Sequence, residues 1–111
     1  MFAKDSGLLQ GTLELLVLKT LSWGPMHGYG IASWIESATG DVLRVEEGSL
    51  YPALYRMEQK GWLKADWGTS ELGRRAKMYS LTARGRQQLK VETSQWTYFS
   101  GAVSRVLGAA T

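Results

Sequence analysis

The chain has 111 residues, of which 44% are apolar and 21% charged, with a formal net charge of +3 and no cysteine. That length accommodates one compact unit with a single core, and the composition is that of a folded chain. The lack of cysteine excludes disulfides and thiolate metal sites. No apolar run approaches the ~20 residues of a membrane span, and Met1-Phe2-Ala3-Lys4-Asp5 lacks the basic and apolar regions of a leader, so the expected location is cytoplasmic.

The charge is unevenly placed. Residues 1–47 carry three basic and six acidic side chains, whereas residues 48–111 carry ten basic and four acidic. A polyanion is the partner class this implies. Nucleic acid ranks ahead of an anionic membrane surface because no cationic amphipathic helix is evident.

In chain order, residues 11–22 predict a first helix with Thr12 as its cap. Leu13, Leu16, Val17 and Thr20 make one face, but Leu15, Leu18 and Leu21 cover most of the rest. A helix apolar nearly all round requires cover on more than one side, and a second protomer is a natural source of it. Trp23-Gly24-Pro25 closes this helix, and a second opens around His27-Gly28-Tyr29 and ends near Gly40, with Ile31, Trp34, Ile35 and Ala38 at helical spacing.

Ser49 reads as the N-cap of a third helix that has Pro52 in its first turn and ends at Gly61. Leu50, Ala53, Leu54 and Met57 gather on one face, and Tyr51, Pro52, Tyr55, Arg56 and Gln59 on the other. A helix that only had to be soluble would carry Lys and Glu on that second face. Tyrosines, an amide and an arginine instead suit bases and phosphates. The order of these two helices is that of a helix-turn-helix, with the third helix as the candidate reader.

Residues 63–67 and 76–81 alternate as strands, with Leu63, Ala65 and Trp67 on one side and Gly68, Ser70 and Gly73 in the connection, which predicts a hairpin. From Arg74 to Val91 the charges are Arg74, Arg75, Lys77, Arg84, Arg86 and Lys90, with no acid among them. Beside an aromatic-bearing helix, such a one-sign run reads as phosphate-facing. Thr82 then caps a last helix running to Gly108, about 40 Å long at ~1.5 Å per residue, whose far end must project. Leu89, Thr93, Trp96, Val103 and Leu107 recur along it with a period near 3.6, flanked by Phe99 and Val106, a stripe that favours two-fold association.

Catalysis has little to work with. His27 is the sole histidine and stands just before a glycine at a helix start, where a local hydrogen bond suits it better than proton transfer. Glu46 and Glu47 are neighbours in sequence only, Gly28-Tyr29-Gly30 lacks the third glycine of a dinucleotide fingerprint, and no set of metal ligands is present. No enzymatic activity, metal or cofactor is expected.

Five blocks in order carry a resemblance: Gly11-Thr12-Leu13-Glu14-Leu15-Leu16-Val17-Leu18, then Pro25-Met26-His27-Gly28-Tyr29-Gly30-Ile31, then Glu47 through Glu58, Gly61-Trp62-Leu63, and Arg74 through Arg86. The chain resembles the PadR family of bacterial winged-helix transcriptional regulators, in particular its short-tailed members. It departs from the family pattern at Met26, inserted before the His-Gly-Tyr, and at Met57, where leucine is usual. The resemblance implies a dimer built from C-terminal and first helices, a helix matching Ser49–Lys60 in the major groove, and a hairpin touching the backbone nearby. It also implies repression at inverted repeats, relieved in some members by small aromatic or cationic compounds. From about Gln88 onward the family pattern defines little, so dimer and ligand residues there rest on the stripe.

The expected fold is mainly α with a small β-hairpin (α+β), a winged helix-turn-helix over residues 1–81 followed by a dimerisation helix over residues 82–111. The expected partner is double-stranded DNA, met by Tyr29, Ser49, Tyr51, Pro52, Tyr55 and Arg56 on the helices and by Arg74, Arg75, Lys77 and Tyr79 on the wing. Leu15, Leu18, Leu89, Trp96, Phe99, Val103 and Leu107 are the expected homodimer interface. Trp96 doubles as the candidate small-molecule site, since two copies across a two-fold axis could sandwich a planar ligand; packing in the dimer core is its other reading. The competing function is a winged-helix module that binds an acidic protein, and a regulator with no ligand is a third.

Overall fold

The computed structural model describes residues 7–69 and 71–109, so that Met1–Asp5, read above for a leader, and Ser70 of the hairpin connection lie outside it. The elements are α1 (Gly7–Leu21), β1 (Met26–His27), α2 (Gly28–Ala38), α3 (Glu47–Gln59), β2 (Leu63–Thr69), β3 (Arg75–Leu81) and α4 (Ala83–Gly108). The expected helices and hairpin are all present. β1 is an addition: it pairs antiparallel with β3, Met26 opposite Tyr79 and His27 opposite Met78, giving a sheet of order β1-β3-β2. Two residues are too few to display the alternation by which a strand is recognised in sequence.

α1 is the hub of the core. It packs against α2, α3, α4 and β3, and Leu9, Leu13, Val17, Leu18 and Leu21 are all buried. The cover that an apolar helix requires therefore comes largely from within the chain. Leu18, expected at the dimer interface, is fully buried in the protomer and has no surface left for a partner. Thr12 does not cap α1; it lies inside a helix that begins at Gly7, and its hydroxyl donates to the Leu8 carbonyl at 2.7 Å. Buried Thr20 likewise satisfies its hydroxyl on the Leu16 carbonyl at 2.7 Å.

α2 is capped by His27, whose extended backbone places the imidazole Nδ1 to accept from the Gly30 N–H at 3.0 Å. This is the structural role expected for the lone histidine. Gly28, Ile31 and Ile35 are the buried side of α2, and Trp34 sits at its exposed edge with its ring 6.4 Å from that of Trp23. Two bonds brace the connection to α3: the Val45 N–H donates to Glu36 Oε2 at 3.0 Å, and the Leu43 N–H to the Thr39 hydroxyl at 3.1 Å.

α3 starts three residues earlier than expected. Glu46 is its extended N-cap and makes no side-chain cap bond, Glu47 supplies an acid in the first turn where the helix dipole favours one, and Ser49 lies within the helix. Pro52 is therefore inside the helix and not in its first turn, and it has no N–H to offer the Gly48 carbonyl. Leu50, Ala53, Leu54 and Met57 are buried as their periodicity requires, and the helix stops at Gly61, whose φ of 79° is left-handed.

Thr82 caps α4 as expected and does more. Its hydroxyl accepts from the Gly85 N–H at 3.0 Å and donates to the Gly61 carbonyl at 2.6 Å, while its own N–H donates to the Trp62 carbonyl at 3.0 Å. The first turn of α4 is thereby laced to the corner between α3 and β2. Gly85 is buried there, and the position requires glycine because a Cβ would collide with the Trp62 carbonyl oxygen. Beyond this contact α4 continues unbroken through Gly101 to the end of a particle 58 Å long.

Gly85→Ala should therefore lower stability by about 1–3 kcal/mol in denaturant unfolding, because either a backbone or a helix must move. Gly101→Ala, at a helical position with nothing within 4 Å of the new methyl, should raise it by roughly 0.5–1 kcal/mol.

Candidate nucleic-acid interface

The exposed face of α3 is the one whose composition set it apart. Tyr51, Pro52, Tyr55 and Arg56 all reach solvent, Tyr55 at 63% exposure, and Ser49 is half-buried. Tyr29 stands beside them on α2 at 74% exposure. What brings the two helices this close is Gly28: a Cβ there would lie 2.5 Å from the Tyr51 hydroxyl and 2.7 Å from its ring carbons. The missing side chain at Gly28 makes the seat for Tyr51.

Two carboxylates hold cations in place around this face. Glu14 on α1 takes the Arg56 Nε on one oxygen at 3.4 Å and the Lys60 Nζ on the other at 3.5 Å. Arg56, expected to meet phosphate, thus has an intramolecular partner, while Lys60 also lies 4.5 Å from the Trp62 ring centre. On the opposite flank of α3, Glu58 pairs with Lys77 of the hairpin at 3.5 Å. That bond ties the wing to the helix.

The β2–β3 register explains how one sheet face serves two purposes. Leu63 is opposite Leu81, Ala65 opposite Tyr79, Trp67 opposite Lys77 and Thr69 opposite Arg75. Facing pairs share a side of the sheet, and the side alternates along each strand. At the base of the hairpin this side is Leu63, Tyr79 and Leu81, all buried. Toward the tip the same side becomes Trp67, Lys77 and Arg75, all exposed. Arg74 is exposed next to them.

Tyr79 is thereby corrected: expected to reach DNA, it belongs to the buried half of this face and is only 5% exposed. Its place in a basic strip concealed that alternation turns it inward. Burial raises its phenol above the ordinary 10.0, against the pull of the Lys77 ammonium, with Glu58 and Tyr51 adding to the rise. Trp67 shares the apolar side of β2 with Leu63 and Ala65, which hides it as a surface residue in the alternation. It is 63% exposed, with the Arg75 guanidinium 4.7 Å above its ring centre.

The remaining predicted residues lie away from this face. Leu89 and Leu15 are half-buried, whereas Trp96, Phe99, Val103 and Leu107 on α4 are exposed, Trp96 to 42%. Trp96 borders two grooves against α1. One of about 250 Å³ is lined by Leu8, Leu9, Thr12, Leu15, Leu16 and Leu43, and one of about 200 Å³ reaches Glu92, Gln95 and Phe99. Among the described residues no cluster could hold a metal ion, and no helix is long and apolar enough to cross a membrane.

The profile of the transcriptional regulator PadR-like family matches residues 17–91, the span from the middle of α1 into α4. This chain belongs to the PadR-like family. Its winged-helix architecture is shared with solved relatives. A PadR-like transcriptional regulator from Bacillus cereus is 30% identical with a TM-score of 0.81, covering 95% of this chain and 100% of that one. A transcriptional regulator from Clostridium thermocellum is 26% identical with a TM-score of 0.83, covering 90% and 97%. In sequence, the chain is 27% identical over 77 residues to the negative transcriptional regulator PadR of Bacillus subtilis. That match takes in 69% of this chain but only 42% of the relative. Members of the PadR-like family regulate transcription and are not enzymes, in keeping with the absence of catalytic groupings in the sequence.

Glu14→Gln should release Arg56 and Lys60 at a cost in stability of about 1 kcal/mol or less, as for an exposed pair. If this face meets DNA, the substitution should also tighten binding at fixed salt a few-fold and leave the log–log salt slope unchanged, measured by anisotropy titration. Arg56 and Lys60 then have no carboxylate to leave, while the phosphates they reach are the same. Because the Tyr79 phenol is raised in the fold, the stability it contributes is fully present below pH ~10 and is lost as pH rises through the folded-state value. In Tyr79→Phe, unfolding followed between pH ~9 and ~12 should lack that alkaline loss.

Proposed function

We propose that the chain is a homodimeric repressor that binds double-stranded DNA in a sequence-dependent way, at an operator with inverted repeats. The observation that carries this is the continuity of one surface: the aromatic and polar face of α3, Tyr29 at the start of α2, and the cationic tip of the wing, joined through Lys77 and Glu58. An α-helix fits the major groove, and a wing beside it meets phosphates or the minor groove. Ser49, Tyr51, Pro52, Tyr55 and Arg56 are the α3 contacts, with Arg56 leaving Glu14 for a phosphate when DNA arrives. Arg74, Arg75 and Lys77 are the wing contacts. The description of the Bacillus subtilis relative as a negative regulator supports repression.

In this reading residues 1–81 form the DNA-binding unit and residues 82–111 the dimerisation helix. Trp96, Phe99, Val103 and Leu107 are too exposed to be stable as a solvated stripe, and the groove beside Leu15 is where a second α4 would seat. A planar aromatic or cationic effector is accommodated between the two Trp96 side chains of the dimer, against the same grooves.

The test is binding to DNA from the region upstream of the protein's own coding sequence against a scrambled duplex, at ~0.05 and ~0.2 M salt, with the assembly state followed by sedimentation. Preference for the native fragment at both concentrations with two protomers per site is expected. Phe99→Lys with Val103→Lys should yield a folded monomer that has lost that preference. Equal binding to both duplexes that fades with salt would instead direct the basic surface toward an acidic protein.

A further inference from the structure

The tip of the wing holds a grouping that its fold does not require. Trp67 is largely solvent-exposed, on a sheet face whose apolar duty ends two residues earlier at Ala65 and Tyr79. A strand position facing water is ordinarily filled by Thr or Lys, and an indole left there covers no core. What the indole does touch is Arg75, whose guanidinium carbon is 4.7 Å from the ring centre. Among the described residues no carboxylate pairs with Arg75, unlike Arg56, Lys60 and Lys77.

We infer that Trp67 is a positioning residue for nucleic-acid binding, holding Arg75 flat on its ring so that the guanidinium edge is preset toward the phosphate or minor-groove acceptors beneath the wing. This rests on the DNA-binding reading above and adds to it the residue that arms the wing. A long arginine side chain surrenders ~2 kcal/mol of rotamer freedom when it is fixed on binding, and stacking beforehand removes part of that loss. A ring beneath the guanidinium accepts none of its N–H groups in a strong hydrogen bond, so donors of Arg75 stay available, whereas a carboxylate partner would take them. The wing is itself held to α3 by the Lys77–Glu58 pair, so the stacked arginine keeps a set distance from the reading helix. Trp67 and Arg75 lie diagonally across the ladder, where long and aromatic side chains reach each other.

The experiment is a double-mutant cycle read by fluorescence anisotropy on the upstream duplex at fixed salt, using Trp67→Ala, Arg75→Ala and the double variant, with Trp67→Phe as the conservative control. Thermal unfolding of each variant verifies that the fold is retained, which the exposure of Trp67 makes the expected result. Trp67→Ala should weaken binding about 2- to 30-fold, the span of a cation–π contact from exposed to desolvated settings. Trp67→Phe should retain most of the affinity, and in the Arg75→Ala background the loss of Trp67 should have no further effect. Binding by Trp67→Ala equal to that of the unsubstituted chain, or the same fold-loss whether or not Arg75 is present, overturns the inference and leaves the regulator reading standing. An unsubstituted chain that does not distinguish its upstream duplex from a scrambled one overturns that reading, and the inference with it.

Discussion

How closely the first turn of α4 approaches the Trp62 carbonyl determines the layout of the molecule. The approach is possible only because residue 85 has no side chain, and Thr82 closes it with three hydrogen bonds to Gly61, Trp62 and Gly85. A helix laced at its start to the corner after α3 has one direction left to run. It passes along α1 and then leaves the protomer, so its apolar stripe ends up on the side where α1 still offers a groove. The same corner ends α3 and begins β2, so α3, the hairpin and α4 all meet there.

Charge is arranged around that frame so that cations on its surface are held by carboxylates of the same chain. Glu14 receives Arg56 and Lys60, and Glu58 receives Lys77. Exposed pairs of this kind contribute little to stability, but they fix where positive charge sits on a surface. Glu14 also lies on the helix that borders the Trp96 grooves, so α1 touches both α3 and those grooves.

Much of the plan was legible in the residues. Helical period located the buried faces of α2 and α3, Thr82 and His27 marked two helix starts, and alternation with glycines marked the hairpin. The misreadings share a cause. Ser49 and Thr12 are good caps by type, yet tertiary packing extended both helices past them, since propensity is a weak term beside burial. Leu18 looked like spare apolar surface because the number of elements converging on α1 is a property of the fold and not of α1. Tyr79 sits in a strip of positive charge, but strand alternation turned it to the inside.

The sequence by itself determined the element types, the separation of charge between the two halves, the absence of catalytic groupings and the membership of a regulator family, because these depend on local pattern and on order along the chain. Tertiary structure alone decided which apolar residues stay exposed, which cations are already paired, that a two-residue strand completes the sheet, and that Trp67 lies under Arg75. Those features are contacts between residues far apart in sequence. Their geometry follows from how α1, the Gly28 seat and the Gly85 corner bring separate elements together, and no periodicity records it.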